Sequence, residues 1–127
     1  MTTKTTEVEC PYCGNLATYM TSFEFYGKRY SSNLYGCEPC DARVGTHGKG
    51  KRPLGTLADG QLRNLRKMCH AKIDPAWKKG GVRRRAVYSR LARKMGLPSK
   101  EAHIGLFNVD QCRRLLGMLE RGEFWND

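Results

Sequence analysis

The chain has 127 residues, 39 % of them hydrophobic and 28 % charged, with a formal net charge of +11. That length suits one ordinary domain or a small module with a helical part beside it, and no apolar run approaches the length of a membrane-spanning helix. The polar, threonine-rich start Met1 to Glu9 lacks the apolar centre of a secretory signal, so a cytoplasmic setting is expected, in which paired thiols hold metal rather than form disulfides.

After a flexible N-terminus over residues 1–9, the first feature is Cys10-Pro11-Tyr12-Cys13-Gly14. Its counterpart is Cys37-Glu38-Pro39-Cys40-Asp41. A CxxC turn sets two sulfurs on one side of an ion, so two such turns match the all-cysteine tetrahedral shell of one structural Zn²⁺ held by Cys10, Cys13, Cys37 and Cys40. Between them, Ala17 to Tyr26 alternates and is rich in aromatic and β-branched residues, which predicts a strand. Gly27-Lys28 is the expected turn and Arg29 to Tyr35 the returning strand, giving a zinc ribbon over 10–45. Five of the six tyrosines fall in this ribbon. They serve either as the packing of a small core or, at Tyr26 or Tyr30, as stacking surfaces for unpaired bases.

Residues 46–55 read as a glycine-rich basic connector, in which His47, Lys49, Lys51 and Arg52 are interleaved with glycine. It lacks the spacing and the terminal Lys-Ser/Thr of a phosphate-binding P-loop. A helical region is expected over 56–121. Thr56-Leu57-Ala58-Asp59 resembles a capping box, and Ala58, Leu62, Leu65, Cys69 and Ile73 follow at helical spacing. Asp74-Pro75 reads as N-cap and N1 of a short helical turn through Trp77, ended by Gly80-Gly81. Arg83 to Met95 is the next helix, with Val87, Leu91 and Met95 inward and Gly96 as its stop. Asn108 caps a last helix carrying Val109, Cys112, Leu116 and Leu119. Cys69 and Cys112 both fall on apolar stripes and are read as small buried hydrophobes. A tail over 122–127 is expected to fray unless Phe124 and Trp125 fold back. The whole is α+β: a small β zinc ribbon followed by a three-to-four-helix C-terminal part.

Between Lys78 and Lys100 there are nine cations and no acid, whereas the other residues carry 14 cations and 12 acids. Such a segment suits a polyanion. Nucleic acid, DNA or RNA, is therefore the expected partner, met by Lys78, Lys79, Arg83, Arg84, Arg85, Arg90, Arg93 and Lys94 and extended by Lys49, Lys51 and Arg52. A closed four-cysteine zinc has no open position for water, so chemistry would have to come from His47, His70 or His103. Asn64 and His70 resemble the helix of the ββα-metal (HNH) nucleases, with His47 as the base of a metal-dependent nuclease. A second metal site from Cys69, His70, His103 and Cys112 has no ligand spacing to support it.

The two knuckles, the stretch Cys37 to Gly45, the run Arg52-Pro53-Leu54-Gly55-Thr56-Leu57-Ala58-Asp59, His70, Asp74-Pro75 with Trp77, and His103-Ile104-Gly105-Leu106-Phe107 together resemble a zinc-finger-containing domain family of bacteria and their phages. The resemblance implies four cysteine zinc ligands at Cys10, Cys13, Cys37 and Cys40 and a phage or prophage setting, without an activity. It leaves a phage accessory protein that binds and modulates a host protein as the alternative to a nucleic-acid binder, with the nuclease third.

Overall fold

The computed structural model describes residues 7–126, and the chain divides into two compact units between Gly60 and Gln61. Residues 1–6 of the expected flexible N-terminus, and Asp127, lie outside the described residues.

The first unit is a three-stranded antiparallel sheet in the order β1 (Thr18–Met20), β2 (Leu34–Cys37), β3 (Ala42–Gly45). Tyr35 lies opposite both Tyr19 and Val44. β2 is central and buried throughout, while β3 buries Ala42 and Val44 and leaves Arg43 and Gly45 half-covered. One core cluster holds Cys10, Tyr35, Cys37, Ala42, Val44 and Leu57, with Val8, Ala17, Tyr19 and Cys40 packed against it, and Leu34 and Ala58 are buried as well.

The expected strand Ala17 to Tyr26 is interrupted halfway. Ser22–Tyr26 forms a short helix, α1, because Thr21 and Glu24 make a reciprocal capping box and Gly27 closes the turn at φ 75°. A local pair of side-chain to backbone bonds therefore outweighs the β propensity of the aromatics. The returning strand is correspondingly shorter than Arg29 to Tyr35 and begins at Leu34. Buried Asn33 ties these pieces together. Its Oδ1 accepts from the Ser22 amide at 3.0 Å, and its Nδ2 donates to the Tyr19 hydroxyl at 2.9 Å and to the Lys49 carbonyl at 3.3 Å.

The basic glycine-rich stretch 46–55, expected as a connector, folds back on the sheet. Thr46 bridges to Pro53, and the Leu54 amide donates to the Gly45 carbonyl at 2.9 Å. The Tyr35 hydroxyl donates to the Lys51 carbonyl at 2.5 Å and the Tyr19 hydroxyl to the Gly50 carbonyl at 3.2 Å. Tyrosines that the sequence offered as packing thus also anchor this loop.

The second unit holds α2 (Gly60–Ile73, its first residue belonging to the unit before), α3 (Pro75–Lys78), α4 (Arg84–Met95) and α5 (Val109–Glu120). The expected capping box at Thr56 does not start α2. Leu57 is buried, and Ala58 exchanges two 2.9 Å backbone hydrogen bonds with Arg43, which holds the chain extended until Gly60. The buried face of α2 is Leu62, Arg66, Cys69 and Ile73, so Arg66 occupies the position expected for Leu65. Its Nε and Nη2 both donate to the Phe107 carbonyl, at 3.0 and 2.9 Å, which is how a guanidinium is accommodated inside. α4 buries Val87, Leu91, Ala92 and Met95 and ends at Gly96 with φ 68°. In α5 the Asn108–Gln111 capping box is formed, and Leu115 rather than Leu116 is the buried leucine beside Cys112. Phe124 is fully buried, so the tail is folded back as far as that ring, whereas Trp125 is exposed.

Candidate metal centre

Each knuckle is a tight turn whose closing residue takes the left-handed conformation: Gly14 at φ 80° after Cys13, and Asp41 at φ 52° after Cys40. Glycine reaches that region freely, and aspartate is among the few other residues that tolerate it. The Gly14 amide donates to the Cys10 carbonyl at 2.8 Å and the Asp41 amide to the Glu38 carbonyl at 3.1 Å. The β2–β3 pairing then fixes the second knuckle, since Cys37 is paired with Ala42. Cys10 and Cys37 are buried, Cys40 is half-buried and Cys13 is exposed.

The four sulfurs lie within 4.8 Å of one another, and Cys13 Sγ is 3.7 Å from Cys37 Sγ. A tetrahedron with zinc–sulfur bonds of about 2.3 Å has sulfur–sulfur edges of about 3.8 Å, so these donors fit zinc in both number and spacing. Their protonation is uneven. Burial opposes the Cys10 thiolate, yet the amides of Tyr12 and Cys13 and the thiols of Cys37 and Cys40 hold it at about 7. Burial, followed by the other thiols and the charge on Cys10, pushes Cys40 up to about 12. One thiolate forms readily and makes the next costly, a conflict that a divalent cation at the centre removes.

Two CxxC knuckles joined by an antiparallel sheet define a four-cysteine zinc-ribbon protein with one structural zinc ion. A family model for a zinc-finger-containing domain matches residues 6–122, and the chain belongs to that family. No curated protein and no solved structure matches it. The family description specifies a metal-binding module and no activity.

Among the described residues the four ligands are the one group of three or more His, Cys, Asp or Glu placed to share an ion. Cys69, His70, His103 and Cys112 are therefore not gathered into a second site. Cys69 and Cys112 are instead buried partners. The Cys69 thiol interacts with the Cys112 thiol and lies 3.7 Å from its carbonyl. His70 Nδ1 lies 3.2 Å from Asp74 Oδ2, and Trp77 Nε1 donates to Asp74 Oδ1 at 3.2 Å. Asp74 stands at the N-cap of α3 with Pro75 following, as expected, but its carboxylate makes no cap bond and holds these two rings. The His103 ring lies 5.9 Å from that of Tyr88. Asn64 and His70 are six residues apart in sequence on α2, which turns them about 120° apart around the helix. His47 is exposed in the folded-back loop.

Of the expected anion-binding residues, Lys78, Lys79, Arg83, Arg84, Arg85 and Arg93 are exposed and Arg90 and Lys94 half-buried, all in the second unit. Lys49, Lys51 and Arg52 are exposed in the first. Sequence reasoning did not find that the Arg84 guanidinium lies 5.5 Å from the Trp77 ring centre and 4.6 Å from that of Tyr88. The signal was available in part, because Tyr88 stands one helical turn after Arg84.

Proposed function

We propose that the protein is a zinc-ribbon nucleic-acid-binding protein that grips phosphate through the basic surface of its second unit. The observation that carries this reading is the start of α4. Arg83 is its N-cap without a side-chain cap bond, Arg84 and Arg85 follow, and the first turn has no acid. Free amides and the macrodipole already make a helix N-terminus positive, so three arginines there disfavour the helix. A bound phosphate reverses that balance, because the same amides and guanidinium groups then donate to one anion. The rings of Trp77 and Tyr88 hold Arg84 in place, which lowers the entropy lost when it binds.

The test is fluorescence anisotropy with labelled DNA and RNA across a salt series. Wild type is expected to lose affinity steeply with salt, and the Arg83→Ala/Arg84→Ala/Arg85→Ala variant to bind more weakly with a log–log slope smaller by about 2–3. Equal binding by that variant and wild type at low salt would overturn the proposal.

A further inference from the structure

Resting on that nucleic-acid reading and extending it to the other unit, we infer that α1 and its flanks are a stacking site for unpaired bases of a single-stranded nucleic acid. Because the Thr21–Glu24 capping box converts the second half of the expected strand into a helix, its aromatics leave the sheet. Phe23 is 57 % exposed, Phe25 39 %, Tyr26 50 % and Tyr30 51 %. Four large rings within eight residues thus stand in solvent on a metal-braced module whose own core is short of apolar side chains.

The rings are ordered by their neighbours and do not cover one another by parallel stacking. Phe25 and Tyr26 meet edge to face at 4.7 Å and 87°, and Tyr26 and Tyr30 at 5.4 Å and 87°. Cations are interleaved with them: the Arg29 guanidinium lies 5.7 Å from the Phe23 ring centre and that of Arg43 5.0 Å from Phe25. Phe25 and Arg43 also line a cavity of about 330 Å³ with Met20, Gly36, the zinc ligand Cys37 and the acids Glu38 and Asp41, at the small end of ligand-sized pockets and of a size for a single base.

Charge decides the occupant. Residues 7–60 carry six cations and six acids, so this unit does not attract polyanions as a whole. Beside the rings, however, the Glu24 carboxylate is engaged by the Thr21 amide at 2.9 Å and that of Asp41 by Arg43 at 3.2 Å, and Glu38 is the remaining exposed acid at the cavity. Lys28 and Arg29 are left to meet the phosphates flanking a stacked base. Rings that hold bases, with a few cations for the adjoining backbone, is the chemistry of single-strand binding, whereas a duplex keeps its base faces covered.

The experiment uses the full-length, zinc-loaded protein and a labelled oligonucleotide of about 20 nucleotides, single-stranded or annealed to its complement. For Phe23→Ala/Tyr26→Ala/Tyr30→Ala, single-strand affinity is expected to fall about tenfold or more while duplex affinity stays within about twofold. The replaced rings are exposed, and one zinc per chain verifies that the variant is folded. Tyr26→Phe/Tyr30→Phe should keep single-strand affinity, since stacking requires the ring and not the hydroxyl. If single-strand and duplex affinity fall together, or neither changes, the stacking site is overturned while phosphate binding by the second unit stands. If wild type binds neither form at low salt, both readings fall. If the Arg83/Arg84/Arg85 variant binds both forms as wild type does and the aromatic variant loses the single strand, only the phosphate surface is overturned.

Discussion

Replacing Cys10 with serine should unfold the first unit and leave the second folded. Of the six buried side chains at the centre of the first unit, two are the ligands Cys10 and Cys37. The large apolar side chains left are Tyr35, Val44 and Leu57, with Leu34 of β2 also buried, each contributing about 1.5–3 kcal/mol by burial. Ordering the backbone costs about 1–2 kcal/mol per residue over several tens of residues, which four side chains cannot offset. Zinc binding to such a module is worth about 10–16 kcal/mol, as much as the whole stability of an ordinary domain. Serine is a poor zinc ligand, and Cys10 is wholly buried, so neither the bond nor the packing is replaced. The assay is an amide NMR spectrum together with zinc content. Signals from β2 and β3 should collapse into the unfolded region while those of α4 stay dispersed. Dispersed β2 and β3 signals in a variant without zinc would refute the reasoning.

Other consequences can be checked in the same way. Lowering the pH should release zinc, because protons compete for the thiolates, and occupancy followed with a chromogenic chelator should fall as pH falls. Arg66→Leu removes two charge-assisted bonds and leaves the Phe107 carbonyl buried without them; a loss of about 2–4 kcal/mol is expected, read as a shift in the urea midpoint of tryptophan fluorescence. Asn33→Ala should cost about 2–3 kcal/mol in the thermal melt of the zinc-loaded protein, since the Ser22 amide loses its acceptor and the 46–55 loop one of its anchors. Gly96→Ala meets no steric obstacle but must hold φ 68°, so a loss of about 1 kcal/mol is expected, whereas no change would refute the left-handed C-cap.

The metal centre was legible because its chemistry is local. Two CxxC turns carry their own ligand spacing, and the left-handed residue that closes the first is written as Gly14. The helices α4 and α5 were legible for a similar reason, since Gly96 and Asn108 are terminal signals acting within one turn. Where the sequence misled, two local signals competed. Thr21 and Glu24 cap a helix inside a stretch of β-formers, and Thr56-Leu57-Ala58-Asp59 has the outline of a cap but is held extended by Arg43.

What the sequence determined by itself is the zinc ribbon, the helical second half and the acid-free basic segment, because metal geometry, 3.6-residue periodicity and net charge are all expressed over short separations. What only the tertiary structure decided is where side chains far apart in sequence meet. It placed Arg66 under the Phe107 carbonyl, Cys69 beside Cys112 and Trp77 against Arg84, and it turned the aromatics of α1 outward. Contacts of that kind depend on how elements pack, and no spacing along the chain encodes them.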